Sequence, residues 1–341
     1  MRYFYLLLML FVVAVSSAQM DVLDSLMQGQ QPKKEYVAYT FKTTRVITGH
    51  SIETVKKNSI DFRVSHRFGD MFGVNQNIHT LFGFDLATDI GIIVDYGITD
   101  DLTVGIGRMK GAGLVTELWN ANIKYRVLKQ TKDFKIPITV TVFGNTAISS
   151  MRPSSDPSMV NYFPSGYAGF SHRLSYVLQA MVASKINDWL SIQLSPTFLW
   201  RNIVPLGDQN ALFSLGLSAR AKFSKRSAIV FEYYTPLMKS GVGGREYFPM
   251  LRGIRNAAYY PALGIGLEFE TGGHVFDVNL TNSAGLLEND FLAYNPHNWA
   301  QGQFRMGFTI SRSFQLGQKG GKYWKKGSIE DAGPEKEKTK K

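Results

Sequence analysis

The chain of 341 residues contains no cysteine. That excludes a disulfide framework, a thiolate metal site, a cysteine nucleophile and a lipid-modified cysteine anchor. Beyond the first fifteen residues it also lacks any apolar run of the ~20 residues that a membrane-spanning helix requires, so it is no polytopic helical membrane protein. Its six histidines (His50, His66, His79, His172, His274, His297) never fall at i, i+2 on one strand face or as a helical pair, and no metal or other cofactor is expected. Yet 44% of the residues are hydrophobic, too many for a disordered chain. Apolar content that is high but never continuous points to alternation, and alternation to β structure.

The first residues carry the pattern of an export signal. Arg2 provides a positive start, Tyr3 to Val15 is uninterruptedly apolar, and Ser16-Ser17-Ala18 offers small residues for cleavage before Gln19. Residues 1–18 are therefore expected to be a signal peptide, whose removal takes the formal charge from +11 to +10, because Arg2 is its one charged residue. The mature chain is expected in the outer membrane of a Gram-negative bacterium.

From Ser59 onward the alternation is strict. Ile60, Phe62, Val64 and Phe68 share one parity, and Asp61, Arg63, Ser65 and Arg67 the other. Ile90, Ile92, Val94, Tyr96 and Ile98 continue the pattern, as do Leu102, Val104 and Ile106, and then Trp119, Ala121, Ile123, Tyr125 and Val127. Further runs occupy roughly 136–149, 168–185, 189–202, 211–223, 227–235, 259–270, 274–282 and 303–316. That is about twelve segments of the ~10-residue type expected of membrane barrels, with fourteen as an alternative. Long connections (69–86, 150–167, 236–258, 283–302) alternate with tight ones (Thr99–Asp101, Ile186–Asp188, Ser224–Ser227, Thr271–Gly273). Outer-membrane barrels segregate short periplasmic turns from long external loops, and an even strand count closes without an edge. Trp119 and Trp200 fall toward the long-loop ends, and Tyr96, Tyr125 and Trp189 toward the tight turns, as two interfacial girdles would. The expected fold is an all-β, antiparallel outer-membrane β-barrel over residues 59–316. Residues 19–58, with a strand-like run at Tyr39 to Thr48, are expected to be a periplasmic extension, a plug or an extra strand. Gly317 to Lys341, with eight Lys against four acids, is expected to be a disordered periplasmic tail.

Three stretches together resemble a known family. They are Thr44-Arg45-Val46-Ile47-Thr48-Gly49-His50-Ser51-Ile52-Glu53 with Asp61 to Gly69, and Asp95-Tyr96-Gly97-Ile98-Thr99-Asp100-Asp101-Leu102-Thr103-Val104-Gly105-Ile106-Gly107-Arg108. Together they are similar to an uncharacterised membrane-bound β-barrel domain family of Bacteroidota envelopes, most clearly over residues 40–150. The resemblance implies an outer-membrane barrel, assigns no activity, and transfers no functional residue.

The polar parity supplies candidate lumen-lining residues. Its cations are Arg63, Arg67, Lys124, Arg126, Arg173, Arg201, Arg220, Lys222 and Arg305, and its anions Asp61, Asp89, Asp95, Glu232, Glu268, Glu270 and Asp277. Nine against seven is nearly balanced, compatible with a narrow polar channel or with an interior closed by salt bridges. If Gly272-Gly273 is a two-residue turn, Glu268 and Asp277 lie directly opposite, and such like charges need compensation, most simply from an Arg on a neighbouring strand. Catalysis finds little support. Ser65-His66 and Ser171-His172 lack the context of a barrel phospholipase motif, and adjacent strand residues point to opposite faces. The expected role is thus a non-enzymatic channel for small polar solutes, with a partner-docking scaffold as the alternative and a lipid-modifying enzyme behind both. The expected contacts are outer-membrane lipid and periplasmic proteins at the termini, with no nucleic acid. The oligomeric state is left open.

Overall fold

A computed structural model describes residues 34–72, 78–204, 208–237 and 259–316. The signal peptide expected at 1–18 and the tail at 317–341 lie outside the described residues, as does most of the 236–258 loop. Twelve strands form one antiparallel meander: β1 (Ser59–Asp70), β2 (Ala87–Gly97), β3 (Leu102–Met109), β4 (Leu118–Leu128), β5 (Thr139–Ser149), β6 (Leu174–Lys185), β7 (Leu190–Arg201), β8 (Ala211–Lys222), β9 (Ser227–Pro236), β10 (Ala262–Thr271), β11 (His274–Thr281) and β12 (Arg305–Gln315). Each pairs with its sequence neighbours, and β1 pairs with β12 to close the barrel, so every wall strand has two partners. Within a bilayer this closure is obligatory, because unpaired backbone groups find no water there.

The strands turn their apolar parity outward. Ile106 is 65% exposed and Leu178 50%, whereas Arg67 is 1% and Lys124 2% exposed. A water-soluble barrel would reverse that assignment; a barrel surrounded by lipid requires it. His66 follows the outward parity and stacks on Phe308, while its neighbour Ser65 points inward to the Thr309 hydroxyl at 2.9 Å. Among the described residues no helix is long and apolar enough to cross a membrane.

Turn chemistry sets the register. Gly272 and Gly273 both have positive φ, and the hairpin they close pairs Thr271 with His274 and Glu268 with Asp277. The pairing expected for these two carboxylates is met, but the compensating cation comes from beyond the neighbouring strand: Arg220 on β8 reaches past β9 to lie 2.6 Å from Glu268. Ser59 pairs with Gln315 at the same end as the tight turns, so both ends of the described barrel open toward the short-connection side.

Three expectations need correction. The run at 168–185 becomes a strand only at Leu174, because Phe170–Arg173 forms a 3-10 turn. Arg173 therefore lies in that turn, donating to the Ser149 and Met151 carbonyls and stacking on Tyr167, and is not part of the lumen wall. Tyr39 to Thr48 adds no strand to the wall, which leaves the count at twelve.

Candidate functional site

The lumen is occupied from both ends. From the short-turn end, residues 38–58 run inside the barrel, and most of their side chains are buried. This insert folds back at a tight turn: Val46 N–H donates to the Gly49 carbonyl at 2.9 Å, and Arg45 bridges His50. A segment inside a barrel has no sheet partner for its backbone, and buried backbone groups demand one. Wall side chains fill the need. Glu232 on β9 accepts from three successive N–H groups: Ile47 at 3.2 Å, Thr48 at 2.9 Å and Gly49 at 3.0 Å. Lys124 on β4 donates to the carbonyls of Thr44 at 2.8 Å, Ser51 at 2.9 Å and Glu53 at 3.2 Å. Gln193 on β7 accepts from Ile52 N–H and donates to the His50 carbonyl, and Thr141 on β5 donates to the Ile52 carbonyl. Near the exit the insert passes so close to β2 that a Cβ on Gly97 would lie 2.1 Å from the Lys56 carbonyl oxygen.

From the opposite end, the β11–β12 connection folds inward. Its helical turn Glu288–Phe291 and flanking Leu286, Leu287 and Leu292 are buried. Asp89 on β2 accepts from Leu286 N–H and Gly111 N–H, each at 2.9 Å. The insert and this loop meet near the middle. His50 Nε2 lies 3.6 Å from Glu288 Oε1, and the His50 ring rests 3.7 Å from that of Phe143. Tyr234 fills the space over Gly49 and Gly216 and meets the Phe291 ring edge-on at 5.1 Å. Burial holds His50 well below its usual range, reinforced by the neighbouring cations Arg45, Lys124 and Arg63. Burial raises the Glu288 carboxyl, with Arg45 opposing, and raises Asp290 well above its ordinary value, with Asp89 adding to the effect.

The charges of the inner parity are thus largely consumed by partners. Asp61 accepts from Ser313 at 2.8 Å and lies 3.6 Å from Arg63, which itself donates to Thr44 of the insert. Arg67 reaches Thr48 and Asn279, and Asn279 in turn donates to Asp277. Asp95 meets Asn122 at 3.3 Å and Thr44 at 3.5 Å. Arg126 engages Thr54 and lies near Glu53 and Asp101. At the far rim Arg201 pairs with Asp208, and Arg305 contacts His297. Counting charges alone misses Gln193, Thr141 and Thr103, neutral side chains that also bond the insert's backbone. It also misses the apolar inner residues Phe143, Val177, Met181, Leu199 and Leu212, which form one core with Phe41 and Ile52 of the insert and Phe291 of the loop.

Residues 41–314 match the family described as membrane bound beta barrel domain (DUF5777). The chain belongs to this family. The matched span of this DUF5777 barrel begins inside the insert and ends at the last strand, so it takes in the insert turn, the inward loop and all twelve strands. No curated protein sequence matches it. Among solved structures, the KdgM porin in complex with disordered oligogalacturonate has a TM-score of 0.42 and 10% identity, covering 75% of this chain and 99% of that one. The NanC porin has a TM-score of 0.42 at 9% identity, covering 75% and 100%. An outer membrane channel from Pseudomonas putida F1 has a TM-score of 0.42 at 13% identity, covering 77% and 98%.

Proposed function

We propose that this protein is an outer-membrane channel for small polar solutes, closed in the described conformation by residues 38–58 and the inward loop. One observation carries the reading. The wall grips the insert through polar side chains that bind its backbone: Glu232, Lys124, Gln193 and Thr141. Those groups exchange insert for water without stranding an apolar surface at the same positions, so the site suits reversible occupancy better than permanent filling. A second reading has its own support. The apolar cluster joining Phe41, Ile52, Phe143, Tyr234 and Phe291 favours a permanently filled, non-conducting barrel whose termini dock periplasmic proteins.

Planar-bilayer conductance separates the two. The intact protein should be mostly silent, and a variant lacking residues 38–53 should open long-lived steps. A deletion variant that folds, by its β circular dichroism and heat-dependent gel mobility, yet stays silent would overturn the channel reading. Loss of co-purifying periplasmic proteins in the same variant would favour the scaffold.

A further inference from the structure

At the short-turn end, between insert and wall, lies a cleft of about 660 Å³. Seven basic side chains line it against two acidic ones, Asp188 and Glu270. Four of the seven are spoken for. Lys42 pairs with Glu270 at 2.6 Å, Lys185 with Asp188 at 3.7 Å, Arg220 with Glu268 at 2.6 Å and Lys132 with Glu35 at 3.0 Å. Lys222, Lys225 and Arg226 have no ion pair among the described residues. All three sit on the β8–β9 hairpin: Lys222 ends β8 on the inward parity, and Lys225 and Arg226 occupy the turn. The concavity of the cleft focuses their positive field. Trp189 and Tyr39 add ring surfaces to the lining. The volume falls within the range of about 300–1,000 Å³ typical of small-molecule sites.

We infer that this cleft binds a small multivalent oxyanion, a polycarboxylate or polyphosphate, at the periplasmic mouth of the barrel. The three uncompensated cations supply the attraction, and a monovalent anion would satisfy only one of them. Lys42 and Tyr39 belong to the insert, whereas Lys185, Arg220 and Lys222 belong to the wall. The three unpaired cations all belong to the wall, so a bound anion is held by the β8–β9 hairpin and lies beside the insert. Occupancy of the cleft does not depend on the barrel conducting, and it is read by binding alone.

The test is isothermal titration of the full folded chain in neutral detergent with citrate, tripolyphosphate and acetate. The expected result is saturable binding of at least one multivalent anion, at least tenfold tighter than acetate and weakening with added salt. Preference for citrate assigns the site to carboxylates, and preference for tripolyphosphate to phosphates. The double variant K222E/R226E should weaken that binding at least tenfold while keeping the barrel's circular dichroism, and K222R should retain it. Two results would overturn the inference: no saturable binding of either multivalent anion to the folded protein, or undiminished binding by K222E/R226E.

Discussion

Glu232→Gln isolates one charged hold on the insert's backbone, Lys124 being another. The carboxylate is 2% exposed and receives the N–H groups of Ile47, Thr48 and Gly49, mainly on Oε2. Glutamine can leave its carbonyl oxygen at that position, so all three bonds survive as neutral ones. A bond to a charged group contributes about 1.5–3 kcal/mol and a neutral one about 0.5–1.5, so three such conversions should cost roughly 3 kcal/mol of docking. At about 1.4 kcal/mol per factor of ten, the undocked population should rise roughly 100-fold. Because the chain has no cysteine of its own, Ile47→Cys places a unique thiol at a buried point of the insert turn. Its reaction rate with a water-soluble maleimide then tracks the undocked population when docking is faster than labelling. The Glu232→Gln background should accelerate labelling roughly 100-fold, with the barrel's circular dichroism unchanged. Rates within twofold of each other would mean that these bonds do not govern docking, and the reasoning would fail.

Two further outcomes follow from other parts of the fold. Leu178→Arg, near the middle of β6 on the lipid face, should cost about 2–4 kcal/mol in urea unfolding from bilayers, and an unchanged midpoint would contradict the assigned outward face. The pH response should come from His50 and Glu288 acting in opposite senses. Burial holds His50 below its usual 6.5, so the undocked insert takes up a proton that the docked one excludes, and docking weakens as pH falls through that value. The raised Glu288 carboxyl strengthens docking over the acid range instead, which Glu288→Gln removes. In that background, labelling of the Ile47→Cys thiol, normalised to a free thiol, should increase about fivefold between about pH 6.5 and 5.5; a flat profile would refute the assignment.

The wall was legible because a strand between lipid and lumen tends to alternate, as β1 and β4 do; β6 and β9, which turn Val177, Met181, Val230 and Tyr234 inward, were placed by length and flanking turns. The Glu268–Asp277 pairing was equally legible, since Gly272-Gly273 admits one simple hairpin register. The contents of the lumen were not. Tyr39 to Thr48 reads like a strand because a chain threaded through a barrel also meets polar wall on one side and apolar wall on another. The inward loop carried a signal that loop length obscured: Leu286, Leu287, Phe291 and Leu292 form an apolar group that a solvated external loop has no use for. The balance of inner charges is compatible with open channel and salt-bridged interior alike, whereas Glu232 and Lys124 answer to backbone groups roughly 70 to 185 positions away, and no periodicity encodes that distance.

Holding one strand of peptide from many sides has a mechanical effect. The insert is bonded at once to β1 through Arg63, β3 through Thr103, β4 through Lys124, β5 through Thr141, β7 through Gln193 and β9 through Glu232. An empty ring of twelve strands flattens easily, because ladder bonds resist stretching far better than they resist bending. Spokes running from a hub to six points of the rim remove that softness. The insert therefore fixes the cross-section of the cylinder as well as blocking it, and when it departs the wall gains the freedom to change shape.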